Sequence, residues 1–199
     1  MVLTKEVRDN NLPANDIWFV TDSHHSLLLQ FHAKNGAKCS AIRGGRILHM
    51  RKMVENCRSN CLVILAGGND LMDCDTVLVV QEVLRLVRDV VKADGAKCII
   101  TGSVVPRAAR DFVAKTREFD LLIEQGDLTH HHLETDLFTD GTGIQTDYFI
   151  WDLCHLNSYG LEKMRELIGF VLDSFHESNF SQSRNFSTYT GQRVARWKF

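Results

Sequence analysis

The chain has 199 residues, 44% of them hydrophobic and 24% charged, with a formal net charge of −2. That length suits one domain whose core is large enough to stand without disulfide or metal staples. The near-neutral balance excludes a broad basic surface for gripping nucleic acid or anionic lipid, and no apolar run approaches the roughly 18 residues of a membrane span.

The first residues, MVLTKEVRDNNLPAND, lack an apolar h-region, so residues 1–15 read as an N-terminal extension rather than a secretory signal. Without a signal the expected compartment is the cytosol, where thiols stay reduced. Cys39, Cys61 and Cys98 fall inside apolar runs, as buried free thiols do, and no paired CxxC spacing suggests zinc. In a cytosolic chain the sequons at Asn179 and Asn185 carry no weight.

Short unbroken apolar runs at 17–21, 38–42, 61–66 and 97–101 predict strands of a parallel sheet buried on both faces. Helical periodicity separates them. One helix should start at Arg46-Ile47. The clearest covers 75–93, with Val80, Val83, Leu84, Val87, Val90 and Val91 on one stripe and Asp73 or Asp75 as cap. Others cover 111–124 and 161–175, the last capped by Asn157 or Ser158. This β-α-β rhythm implies right-handed crossovers and a three-layer α/β/α sandwich over 16–176. From 177 to 199 the pattern dissolves into polar residues with isolated aromatics. That stretch reads as a flexible, locally basic tail carrying Arg184, Arg193, Arg196 and Lys198.

In such folds ligands bind beyond the carboxyl ends of the strands, so chemistry should sit just after each one. After the first strand stands Thr21-Asp22-Ser23-His24-His25, after the second Arg43-Gly44-Gly45-Arg46, and after the third Gly67-Gly68-Asn69-Asp70. Before the last helix stands Asp152-Leu153-Cys154-His155-Leu156-Asn157. Singly these are ordinary turn and cap residues. Together they meet the needs of acyl transfer. A serine hydroxyl becomes a nucleophile when a neutral imidazole takes its proton, and a carboxylate on the other nitrogen fixes the tautomer. Asp152 and His155 are close enough in sequence to face each other across one turn. The backbone N–H groups of Ser23 and Gly45 and the Asn69 amide would supply three oxyanion donors. Gly44 and Gly45 leave the second block ambiguous by one residue; Gly45, directly before the helix start, is chosen.

In this order the blocks resemble the SGNH (GDSL-type) hydrolases, over about residues 17–175. The resemblance maps the four naming residues to Ser23, Gly45, Asn69 and His155, with Asp152 completing the triad. It implies a flavodoxin-like α/β/α sandwich and a serine esterase working on a small-molecule ester through an acyl-serine intermediate. No metal and no organic cofactor is implied. Thr21 stands where the family usually has glycine, which a strand-end threonine can fill if its φ stays negative. An α/β-hydrolase fits less well, because no Gly-x-Ser-x-Gly elbow occurs. The rival is a catalytically silent domain of the same fold that binds nucleic acid or protein, for which Thr21 and the basic tail speak. Oligomeric state has no marker in the sequence.

Several residues invite a bland reading. His130-His131-His132 reads as a loop with solvent-exposed imidazoles rather than a zinc site. His24 and His25 should line the pocket rim, where His25 could also assist leaving-group protonation. Asp22 and Asp70 should brace loops by accepting backbone N–H bonds. Arg43, Arg46 and Arg107 could meet an anionic substrate, solvated surface charge being the commoner outcome, and Cys154 reads as a packed thiol.

Overall fold

A computed structural model describes residues 2–5, 17–22, 37–55, 57–93, 96–102, 104–109, 111–126, 131–133, 136–140 and 143–169. The chain divides into two compact units, Met1–Arg165 and Glu166–Phe199. In the second unit the described residues, 166–169, are helical. The tail at 177–199 lies outside the described residues.

The first unit is built on a six-stranded sheet. Its strands are β1 (Val2–Lys5), β2 (Ile17–Asp22), β3 (Lys38–Ile42), β4 (Ser59–Leu65), β5 (Ala96–Gly102) and β6 (His131–Leu133), in the order β1-β3-β2-β4-β5-β6. From β3 to β6 the five strands are parallel; β1 pairs antiparallel with β3 at the edge. Without β1, the parallel strands run second, first, third, fourth, fifth in chain order, which is the flavodoxin-like order. The four strands expected from apolar runs are all present, within two residues of their expected ends. β1 and β6 are additions. Each is three or four residues long, too short for an apolar run to stand out.

Helices α1 (Ile47–Val54), α2 (Gly68–Asp73), α3 (Thr76–Lys92) and α4 (Phe112–Glu124) follow, and α5 begins at residue 158. α3 forms where the stripe demanded it. Asp75 caps it by accepting the Val77 N–H at 2.9 Å, and Val79, Val80, Val83, Leu86, Val87 and Val90 are buried. They pack with α1 residues Ile47, Met50 and Val54 and α4 residues Phe119 and Ile123 on Trp18, Val20, Leu62, Ile64 and Ile99 of the sheet. The alternate strand residues Phe19, Thr21, Cys61, Val63, Leu65 and Ile100 are buried as well. A sheet covered on both faces is a three-layer α/β/α sandwich, and it accounts for strands without polar alternation. Truncating a wholly buried ring such as Phe119 would cost about 3–5 kcal/mol. Burial raises the Cys39 thiol to about 11, and thiol contact with Cys98 together with burial drives Cys61 higher still, so both stay protonated packing groups.

One expectation is corrected here. His132 is not a solvent-exposed loop histidine. It lies on β6 with its side chain 8% exposed, Nε2 meeting Asp120 Oδ1 at 2.8 Å and Nδ1 meeting Thr101 Oγ1 at 3.0 Å. These contacts of His132 with Asp120 and Thr101 tie β5, β6 and α4 together. His130 and the side chain of His131 lie outside the described residues.

Candidate active site

The chain leaves β2 toward β3 on one side, then returns to build β4, β5 and β6 on the other. The switch point therefore lies between β2 and β4, at their carboxyl ends, where open α/β sheets bind ligands. Asp22 ends β2 there, and Ser23 follows it directly in the chain. Ser23, His24 and His25 lie outside the described residues.

The turn carrying Asp152 and His155 is held from several directions. Phe149 and Leu156 form an antiparallel bridge, and Ile150 N–H donates to the His155 carbonyl at 2.9 Å. Below it, Asn157 Oδ1 accepts the N–H groups of Tyr159 and Gly160, capping α5 as expected, while its amide donates to the carbonyls of Asp147 and Phe149. Leu153 takes up the reversal at φ +51, a left-handed conformation unusual for leucine. Its carbonyl accepts the Ala108 N–H at 3.1 Å, which ties the turn to the loop after β5.

Within this turn Asp152 divides its two oxygens. Oδ1 accepts the N–H groups of Cys154 and His155, both at 2.9 Å, and Oδ2 meets His155 Nδ1 at 2.6 Å. Desolvation alone would raise this carboxyl. The backbone N–H of His155, the imidazole, the Cys154 N–H and the imidazole's charge outweigh it and hold the group at about 2. A carboxylate can only accept, so Nδ1 carries the proton and Nε2 is the accepting nitrogen. The imidazole is 43% exposed, open enough to meet a substrate.

Ile42, Arg43, Gly44 and Gly45 form a turn after β3, closed by Gly45 N–H donating to the Ile42 carbonyl at 2.9 Å. This bears on the oxyanion donor expected at Gly45, whose N–H is spent in the turn. The N–H of Gly44 belongs to the central peptide, outside the hydrogen-bonded ring, and is the donor the turn leaves over. Gly44 has φ +67, which favours glycine, and open space around it. Gly45 is glycine for another reason: a Cβ there would sit 2.8 Å from the Ile42 carbonyl oxygen and 3.3 Å from Asp22 Cβ.

Asn69, on α2, is oriented by two unambiguous neighbours. Its Nδ2 donates to the Gly45 carbonyl at 2.9 Å, and its Oδ1 accepts from Arg107 Nη2 at 3.3 Å. A carbonyl only accepts and a guanidinium only donates, so the carboxamide has one consistent orientation, with its NH₂ toward the glycine turn. Asp70 Oδ2 accepts the Ile47 N–H at 3.1 Å, bracing the start of α1 as expected of a loop-bracing carboxylate; burial raises its pKa. Arg46 pairs with Asp73 at the surface. Thr21 keeps an extended backbone within β2, so the family's glycine is replaced without a positive φ.

For Arg107 the structure departs from the blander of the two sequence readings. The residue is not a solvated surface charge: its Nε is buried without a hydrogen-bond partner, and its guanidinium lies 5.3 Å from the centroid of the Phe112 ring. The available signal was its place just beyond the carboxyl end of β5, where the strand-end rule applied equally. Among the described residues, no three His, Cys, Asp or Glu side chains come together to hold a metal, and no helix is long and apolar enough to cross a membrane.

No family profile matches the chain, and no curated protein matches it in sequence. Solved structures do. A GDSL-like lipase from Bacteroides thetaiotaomicron superposes with a TM-score of 0.67 at 13% identity, covering 81% of this chain and 89% of that one. A carbohydrate esterase family 3 protein from Talaromyces cellulolyticus gives 0.64 at 14% identity, covering 82% and 99%. The OSK domain of Drosophila Oskar gives 0.61 at 12%, covering 75% and 85%. Five parallel strands in flavodoxin order, neighbours of this kind and the blocks in sequence agree: the chain has the fold of the SGNH (GDSL-type) hydrolases.

Proposed function

We propose that the protein is a serine ester hydrolase in which Ser23 is the nucleophile, His155 the general base and Asp152 its partner. The observation that carries this reading is the 2.6 Å Asp152–His155 contact on a braced turn, which sets the imidazole tautomer a serine's general base needs. His155 Nε2 takes the Ser23 hydroxyl proton as Oγ bonds to the ester carbonyl carbon. The tetrahedral oxyanion is met by the N–H groups of Ser23 and Gly44 and by the Asn69 amide. Its collapse breaks the bond to the alcohol oxygen, which leaves with the proton from His155. Water, deprotonated by the same nitrogen, then releases the acid and regenerates Ser23.

A second reading, a catalytically silent domain that binds RNA or protein, is prompted by the likeness to the OSK domain and by Thr21 standing where the SGNH pattern has glycine. Labelling with a fluorophosphonate separates the two. It reacts with an activated serine whatever the natural substrate, so a labelled Ser23 supports the hydrolase, and an unlabelled folded protein favours the binding domain.

A further inference from the structure

Asn69 meets the glycine turn through Nδ2, and the other end of its carboxamide is met by Arg107, from the loop after β5. β4 and β5 are parallel neighbours, so the segments that follow them emerge side by side at the carboxyl ends. Two features of the packing hold Arg107 there. Its guanidinium carbon lies 5.3 Å from the centroid of the Phe112 ring, within cation–π range. Gly68 clears its path: a Cβ there would sit 2.8 Å from Arg107 Nη2 and 3.2 Å from Val104 Cγ1. Gly68 has no positive φ, so its missing side chain serves space rather than backbone conformation.

Stability alone does not explain this arrangement. Among the described residues Arg107 Nε is buried with no hydrogen-bond partner, which costs free energy on folding. The contact the side chain does make is at Asn69, where Nη2 donates to Oδ1 at 3.3 Å. A fixed positive charge there excludes the flipped carboxamide, whose NH₂ would face the guanidinium. It also draws electron density toward Oδ1, which makes the Nδ2 hydrogens stronger donors. One of them goes to the Gly45 carbonyl. The second is the donor that the oxyanion role requires.

We propose that Arg107 is a positioning residue for the reaction, locking and polarising the Asn69 carboxamide as an oxyanion donor, with Gly68 providing the space that admits it. The catalytic consequence rests on the ester-hydrolase reading; the contact itself does not.

Three variants test it. Arg107→Met keeps an unbranched stem against Phe112 and removes every donor. Gly68→Ala keeps Arg107 and pushes its Nη2 away from Asn69. Arg107→Lys keeps a cation without the planar fork. The contact is read without turnover, from the side-chain amide resonances of Asn69 in the isotope-labelled full chain, identified by their loss in Asn69→Ala. They should shift in both Arg107→Met and Gly68→Ala. With a p-nitrophenyl ester, kcat should fall about tenfold in each of these two, as for one lost charge-assisted hydrogen bond, with KM little changed. Arg107→Lys should recover part of the loss. In an Asn69→Ala background Arg107→Met should cost no further turnover, because nothing is left for it to position. Unmoved Asn69 resonances, or the same tenfold loss with and without Asn69, would overturn the assignment. A wild type that neither turns over the ester nor takes up a fluorophosphonate fails the hydrolase reading itself. An active wild type with independent losses fails only the part given to Arg107.

Discussion

Asp152 grips His155 twice, through the ring at 2.6 Å and through the backbone N–H at 2.9 Å, so one carboxylate sets both the tautomer of the imidazole and the turn that presents it. Asp152→Asn separates the two roles. An asparagine oxygen can still accept the backbone N–H groups, but an NH₂ facing Nδ1 forces the opposite tautomer. Melting temperature should change little while kcat falls by about 10⁴-fold, as in related triads. Unaltered turnover would mean that another carboxylate serves the base.

The same carboxylate gives a pH signature. Its pKa is lowered on folding from 3.8 to about 2, so its contribution to stability is fully present above the higher value and is lost as pH falls through the lower one. Melting temperature followed over that acid window should fall more steeply for the wild type than for Asp152→Asn. Parallel curves would mean that the contact does not stabilise the fold.

Asn69→Ala tests the oxyanion amide. If the amide donates to the developing charge, kcat should fall by roughly 10²–10³-fold with little change in KM. If it only joins Arg107 to the Gly45 carbonyl, the cost should appear as about 1 kcal/mol of stability with turnover retained. Urea denaturation and steady-state kinetics on the same preparation separate these outcomes.

Much of this site was legible from spacing. The strand-end rule picked out Asn69, and the three-residue spacing just before the last helix picked out the Asp152–His155 turn, both being local properties of the chain. What was illegible depended on contacts between distant segments. That Gly45 spends its N–H on Ile42 is decided by which peptide of a turn points inward. That Arg107 is half-sheltered depends on Gly68, Asn69 and Phe112, up to 39 positions away in sequence. The burial of His132 required β6, a strand too short to announce itself, to pair with β5.

That last correction has its own test. Asp120→Ala would strand the buried His132 ring without its acceptor and should cost roughly 1–3 kcal/mol in urea denaturation. Turnover per folded molecule should be unchanged, because Asp120 belongs to the α4–β6 contact and not to the Asp152–His155 turn. A loss of turnover without a loss of stability would assign this second Asp–His pair a part in the chemistry.

The central claim is that Ser23 attacks an ester. Its most direct test is turnover of a short p-nitrophenyl ester by wild type and Ser23→Ala, with folding of both verified by circular dichroism. The account predicts hydrolysis by the wild type and a loss on the order of 10⁶-fold in kcat for the variant, as when other serine hydrolases lose their nucleophile. Undiminished turnover by folded Ser23→Ala would contradict it.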